Sequence, residues 1–194
     1  MLITKLTVVN ACLASMGEEP INSLAEVNAF VNSASFALEN ATINEQSEGW
    51  WFNKERIEIV PDTNGYYVVP SDVIDLDIHS NPGWLSVRDG RLYSSDGGKY
   101  LNGKASYHAN IIRLLSFENL PFHAKRLVKA ATVVMFQQSY DGDATKISEA
   151  QQEYAMARML CKSQHIRAVG ANFGTKDLRE AYMSGGSRRL RTPR

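Results

Sequence analysis

Leu120-Pro121-Phe122-His123-Ala124-Lys125-Arg126-Leu127-Val128-Lys129-Ala130-Ala131-Thr132-Val133-Val134-Met135-Phe136-Gln137-Gln138-Ser139-Tyr140 is the stretch from which the fold is read. Pro121 stands at a first helical turn, where its missing N–H costs nothing. From Phe122 to about Tyr140 the apolar residues Leu127, Val128, Ala130, Ala131, Val133, Val134, Met135 and Phe136 cover nearly every side of a helix. A helix of that kind has no solvent face and must be enclosed by other helices. The stretch therefore predicts a mainly helical core with this segment inside it.

The flanking sequence supplies the enclosing helices. Asp141-Gly142-Asp143 breaks the pattern, and a helix over about 144–166 follows, with Ile147, Ala150, Tyr154, Ala157 and Cys161 along one seam. Near the N-terminus, Leu6, Val9, Leu13 and Met16 predict a helix over 4–16 that Gly17 closes, with Pro20 beyond it. A second helix is predicted from about Leu24 to Glu48, with Val27, Phe30, Val31, Ala34, Leu38 and Ala41 as its stripe and Gly49 at its end. These two would pack as an antiparallel pair across the short Gly/Pro turn.

Between Trp50 and Asn119 the period changes. Ile57-Glu58-Ile59-Val60 and Tyr66-Tyr67-Val68-Val69 flank Pro61-Asp62-Thr63-Asn64-Gly65, which predicts a hairpin. Val73 to Ile78 alternates in its second half, turn dipeptides recur at Asn81-Pro82, Asp89-Gly90, Asp96-Gly97-Gly98 and Asn102-Gly103, and Ala109 to Leu115 is the last predicted strand. The expected fold class is α+β, mainly α. An antiparallel helical bundle (1–49 and 120–169) carries a small antiparallel β insertion (50–119) and an extended C-terminal arm (170–194).

Composition sets limits on the rest. The 194 residues are 44% hydrophobic and 22% charged, as in a soluble globular protein. No run approaches the roughly 18 apolar residues of a membrane span. Thr7 and Asn10 interrupt the N-terminal apolar run, so it reads as a folded helix and not as an export signal. Cys12 and Cys161 lie in helical apolar patterns and read as buried free thiols. The formal net charge is zero but unevenly placed, since residues 162–194 hold eight Lys/Arg against two Asp/Glu. A basic tail on an acidic body suggests a segment that seeks an acidic protein or nucleic acid.

Catalytic patterns are scarce. His79, His108, His123 and His165 have no metal-ligand spacing, and neither cysteine lies in a CxxC pattern. Only His79 and His108 could meet, in the β region. Gly97-Gly98 and Gly185-Gly186 lack the following helix that would aim N–H groups at a phosphate. A glycan hydrolase would need paired carboxylates, for which Asp72, Asp75, Asp77 and Glu118 are the candidates. Asp75 and Asp77, however, alternate with Leu76 and Ile78 like the solvent face of a half-buried strand. Glu18-Glu19 reads as a solvated turn or a contact with a neighbour.

Trp50-Trp51-Phe52 reads as a core or subunit-interface cluster more readily than as a base-stacking platform, because Glu48, Glu55 and Glu58 cancel the charge of Lys54 and Arg56. In the arm, Arg188, Arg189, Arg191 and Arg194 could contact DNA phosphates or dock on a protein. The nearby Phe173, Leu178, Tyr182, Met183 and Leu190 favour docking. No catalytic residue, cofactor or metal ligand is expected.

One family resembles the chain in several stretches. Asn10 to Leu24, NACLASMGEEPINSL, is similar to the opening of the tail tubular protein A family of T7-type short-tailed phages. Gly49-Trp50 with Phe52-Asn53, Pro61-Asp62 after a strand, Asn110-Ile111-Ile112-Arg113-Leu114, and Leu120-Pro121 opening a helix match that family in the same order. The resemblance runs over about residues 4–165, while 71–108 and the arm after Gly170 depart from it. It implies a structural adaptor in the virion, assembled in the host cytoplasm as a ring, dodecameric in that family, between the portal protein and the tail nozzle. Tail fibres would be further partners, and double-stranded DNA would pass through the centre. The arm residues Phe173, Leu178, Tyr182, Arg188, Arg189, Leu190, Arg191 and Arg194 are the expected portal-docking element. A tail-associated cell-wall or polysaccharide hydrolase, or a DNA-binding module using the basic arm, are the alternative functions.

Overall fold

A computed structural model describes residues 2–26, 29–78, 85–140 and 144–170. Its helices are α1 (Lys5–Met16), α2 (Val31–Gln46), α3 (Phe122–Ser139) and α4 (Ala144–Gly170), and its strands are β1 (Lys54–Ile59), β2 (Val73–Ile78), β3 (Leu85–Arg88), β4 (Arg91–Ser94), β5 (Lys99–Tyr100) and β6 (Tyr107–Arg113). The fold is α+β. A single turn of 3-10 helix, Phe117–Asn119, leads from β6 into α3.

α3 occupies the position its composition requires, with α1, α2 and α4 all packed against it. Ala124, Leu127, Val128, Ala130, Ala131, Thr132, Phe136 and Gln137 are buried. Val8, Leu38, Ala41, Ala124, Val128 and Ala131 form one apolar core, and Val9, Cys12, Leu13, Val31, Ala34 and Phe136 another. α1 has firm ends. Thr4 and Thr7 exchange backbone-to-hydroxyl hydrogen bonds as a capping box, and Gly17 at φ 84° closes the C-terminus with its N–H on Ala14 and Leu13 carbonyls.

α2 begins later than the apolar spacing predicts, at Val31 rather than near Leu24. Local hydrogen bonds take the preceding backbone out of helix. The Glu26 carboxylate accepts from the N–H groups of Asn22 and Ser23, and the Ser23 hydroxyl accepts from Ala25 N–H. Asn10 then holds both the N–H and the C=O of Ile21 through its side-chain amide. Short polar side chains that bond nearby backbone compete with helix in this way. At the other end of the chain, α4 runs four residues beyond the predicted Ile166.

Two three-stranded antiparallel sheets make the β region, in orders β1-β6-β2 and β3-β4-β5. Here the predicted hairpin fails. β1 pairs with the distant β6, with Ile57 opposite Ala109 and Ile59 opposite Tyr107. Tyr66–Val69 meets β1's side only just beyond the strand, in the Pro61–Tyr67 bridge and the bond from Asp62 N–H to Tyr66 O. Tyr66 also bridges Asn102, and Tyr67–Val69 lies along β4, where Leu92 N–H donates to Tyr67 O and Val69 N–H to Gly90 O. The reason is local: Pro61 has no N–H to continue a ladder, and the Asp62 carboxylate takes the N–H of Tyr66. The last strand also ends two residues early. The side chain of Gln46 accepts from Leu115 N–H and donates to Leu115 O, drawing that backbone onto α2. The inner faces of the two sheets share one core of Ile59, Tyr67, Val69, Leu92, Ala109 and Ile111.

Candidate interaction surfaces

The aromatic stretch Trp50-Trp51-Phe52 lies in a turn joining helices to sheet. Gly49 sits at φ 70°, and the N–H groups of Asn53 and Lys54 both donate to Trp50 O. Trp50 is 4% exposed and packs with Leu127, Ala130, Ala157 and Cys161. Its indole N–H donates to Glu45 O. Trp51 and Phe52 are half-buried against the same cluster. Asn53, fully buried, ties three elements together: its Oδ1 accepts from Trp50 N–H at 2.7 Å, and its Nδ2 donates to Gln46 O and Arg113 O at 3.0 and 3.1 Å.

α4 is fastened to this turn at two points. Trp51 N–H donates to His165 Nδ1 at 3.1 Å, and the imidazole packs edge-on against Trp50. Burial, with Lys54 nearby, pushes the His165 pKa down, so the ring stays a neutral acceptor. One α-helical stretch earlier, Tyr154 donates its hydroxyl to the buried Glu45 carboxylate, while Arg158 reaches Tyr154, Glu45 and Glu48. Loss of hydration raises the Glu45 pKa above the ordinary carboxylate range, and the Tyr154 bond and Arg158 oppose that only in part.

None of the carboxylate candidates for glycan cleavage has the environment of a general acid. Asp72 is held by Arg113 at 2.6 Å, which lowers its pKa, and Arg113 also binds Glu55 at 2.9 Å. Glu118 is lowered chiefly by a backbone hydrogen bond and is paired with Lys5. Asp75 and Asp77 are exposed on β2, as their alternation predicted. Glu18 and Glu19 are exposed beyond α1. Burial pushes the thiols of Cys12 and Cys161 up to about 12, leaving them protonated and unreactive at neutral pH. Among the described residues no group of His, Cys, Asp and Glu could hold a metal ion, and no helix is long and apolar enough to cross a membrane. His79 and the arm residues Phe173, Leu178, Tyr182, Arg188, Arg189, Leu190, Arg191 and Arg194 lie outside the described residues.

Three surfaces suited to partners were not singled out in the sequence. On α4, Met156, Met159, Leu160 and Ile166 are exposed along the side away from Ala157 and Cys161. An open groove of about 600 Å³ lies between α2 and α3, bordered by Phe36, Asn40, Met135 and Tyr140. On the β3-β4-β5 sheet, the Arg88 guanidinium lies 3.8 Å from the Tyr93 ring centre and that of Arg91 5.1 Å from the Tyr66 ring. Helical spacing identified the α4 seam residues, but the same spacing cannot tell an apolar residue facing a neighbour from one left in solvent.

The family model described as tail tubular protein matches residues 6–170. The chain is also similar to tail tubular protein A of Klebsiella phage KP34, at 27% identity over 165 residues, 84% of this chain and 87% of that protein.

Proposed function

The chain belongs to the tail tubular protein family, a structural component of the phage tail and not an enzyme, and from that premise we propose that it is a head-to-tail adaptor. In this reading identical copies close a ring, dodecameric by resemblance, between portal protein and tail nozzle. Tail fibres seat against the ring, and DNA leaves through its centre at ejection. Assembly takes place in the host cytoplasm. The helical part acts as a rigid bundle, residues 50–119 as an inserted β domain, and 170–194 as the arm that docks on the portal.

The observation that carries the reading is the family match across α1 to α4, the whole of the described fold. Physical features support it. Helices packed on a buried α3 make a stiff unit, and identical stiff units in head-to-tail contact close a ring when the rotation between neighbours divides the circle. Exposed apolar side chains on α4, together with Phe36 on α2, offer surface for partners. Purified protein mixed with its cognate portal protein should give a ring by negative-stain electron microscopy. Persistent monomers in that mixture, at concentrations where both proteins are folded, would sink the adaptor role while leaving family membership intact.

A further inference from the structure

Because their inner faces share one core, the two sheets turn their outer faces in opposite directions. On the β3-β4-β5 side, Arg88 and Arg91 stand directly opposite each other across the Asp89-Gly90 turn, whose residues both have positive φ. Like charges directly opposed across an antiparallel pair repel. Both arginines are exposed, and each is laid over a tyrosine, Arg88 on Tyr93 and Arg91 on Tyr66. Asp89, the acid in the turn between them, already accepts the Tyr100 hydroxyl proton in a hydrogen bond. The result is an Arg/Tyr surface with excess positive charge, rich in the residue types that dominate binding energy at protein interfaces.

The other outer face is charged in the opposite sense at one edge. β2 is an edge strand, and its Asp75 and Asp77 are exposed and form no ion pair among the described residues. Lys54 and Arg56 lie on the far side of β6 from them, since Asp75 and Lys54 both pair with Ile112, and Asp77 and Arg56 with Asn110.

We propose that the Arg88/Arg91 face of one copy docks on the Asp75/Asp77 edge of the next. The proposal rests on the ring reading and names its lateral contact. Charge complementarity selects the partner. The opposed directions of the two faces make the contact heterologous, so it is not exhausted in a dimer and continues from copy to copy. Duplex DNA fits the same arginines poorly, because two guanidinium groups beside a carboxylate neutralise few phosphates.

Assembly is measured by sedimentation velocity and negative-stain microscopy, with portal protein present, for wild type, Arg88→Glu/Arg91→Glu, Asp75→Arg/Asp77→Arg and the variant carrying all four changes. Each double reversal should raise the concentration needed for ring formation by about a hundredfold or more, since opposed like charges are strongly repelled, and the four together should restore it. All four positions are exposed, so each variant should fold, and circular dichroism and thermal melting serve as the control. A wild-type ring that tolerates both reversals overturns this contact alone. So does assembly lost in both reversals but not restored in the combined variant, or a ring left intact while portal binding weakens. Wild type that never assembles overturns the ring reading, and the contact with it.

Discussion

At the scale of single residues, Asn53 holds most of the junction. It bridges the end of α2, the aromatic turn and β6, and its amide is the one chemistry that both accepts from an N–H and donates to two carbonyls. Asn53→Ala should cost about 3 kcal/mol, since it removes three hydrogen bonds and leaves the Trp50 N–H without its side-chain acceptor, at roughly 1–3 kcal/mol for a buried group left unpaired, while Gln46 O keeps the Gly49 N–H. Asn53→Asp should be no better, because a carboxylate cannot donate. Urea titration reads both, and a variant as stable as wild type contradicts the bridging role. Glu45 gives a pH signature. Its folded pKa is raised, so the native state holds the proton longer than the unfolded chain, and stability falls as pH rises from the ordinary carboxylate range through the raised value. Glu45→Gln keeps an acceptor for Tyr154 and should flatten that slope in melts taken across the same range. His165 acts in the other direction. Its folded pKa is depressed, so its share of stability is present above the ordinary histidine range and lost as pH falls through it. His165→Gln should remove that loss.

At the scale of elements, α4 has two unlike faces. Ala157 and Cys161 let it approach Trp50, Leu127 and Ala130 closely. Ala157→Leu should therefore destabilise the fold by roughly 1–3 kcal/mol through overpacking. Met159→Lys on the exposed side should change stability by less than about 0.5 kcal/mol. Equal effects on thermal unfolding would mean that the helix packs differently. The element boundaries show what periodicity misses. The apolar stripe predicted for α2 reaches back to Val27, yet Glu26 and Ser23 bond the preceding backbone and delay the helix to Val31. For β1, the turn chemistry at Pro61–Gly65 was legible, but not the partner.

For the whole molecule, the adaptor reading predicts separable fold and assembly. Removal of residues 171–194 should leave the melting temperature of the remainder within a few degrees of the full chain and abolish portal binding in pull-down. If the arm served DNA instead, the truncated chain would lose DNA affinity, and the full chain's binding would weaken steeply with salt. Portal binding unaffected by the truncation would remove the arm from the docking surface.

Read from residue order alone, this protein has helices enclosing α3, buried thiols, Asp75 and Asp77 on a solvent face, and motifs sufficient to identify its family. These follow from local periodicity and composition, which a linear chain displays. The partner of β1, the late start of α2, the knot around Asn53 and Gln46, and the opposed Arg88/Arg91 and Asp75/Asp77 faces came only with the tertiary structure. Each depends on residues far apart in sequence meeting, or on a polar side chain choosing one backbone group over another. Such choices are decided by which alternative buries the shared core with its hydrogen bonds satisfied, a comparison that no local window contains.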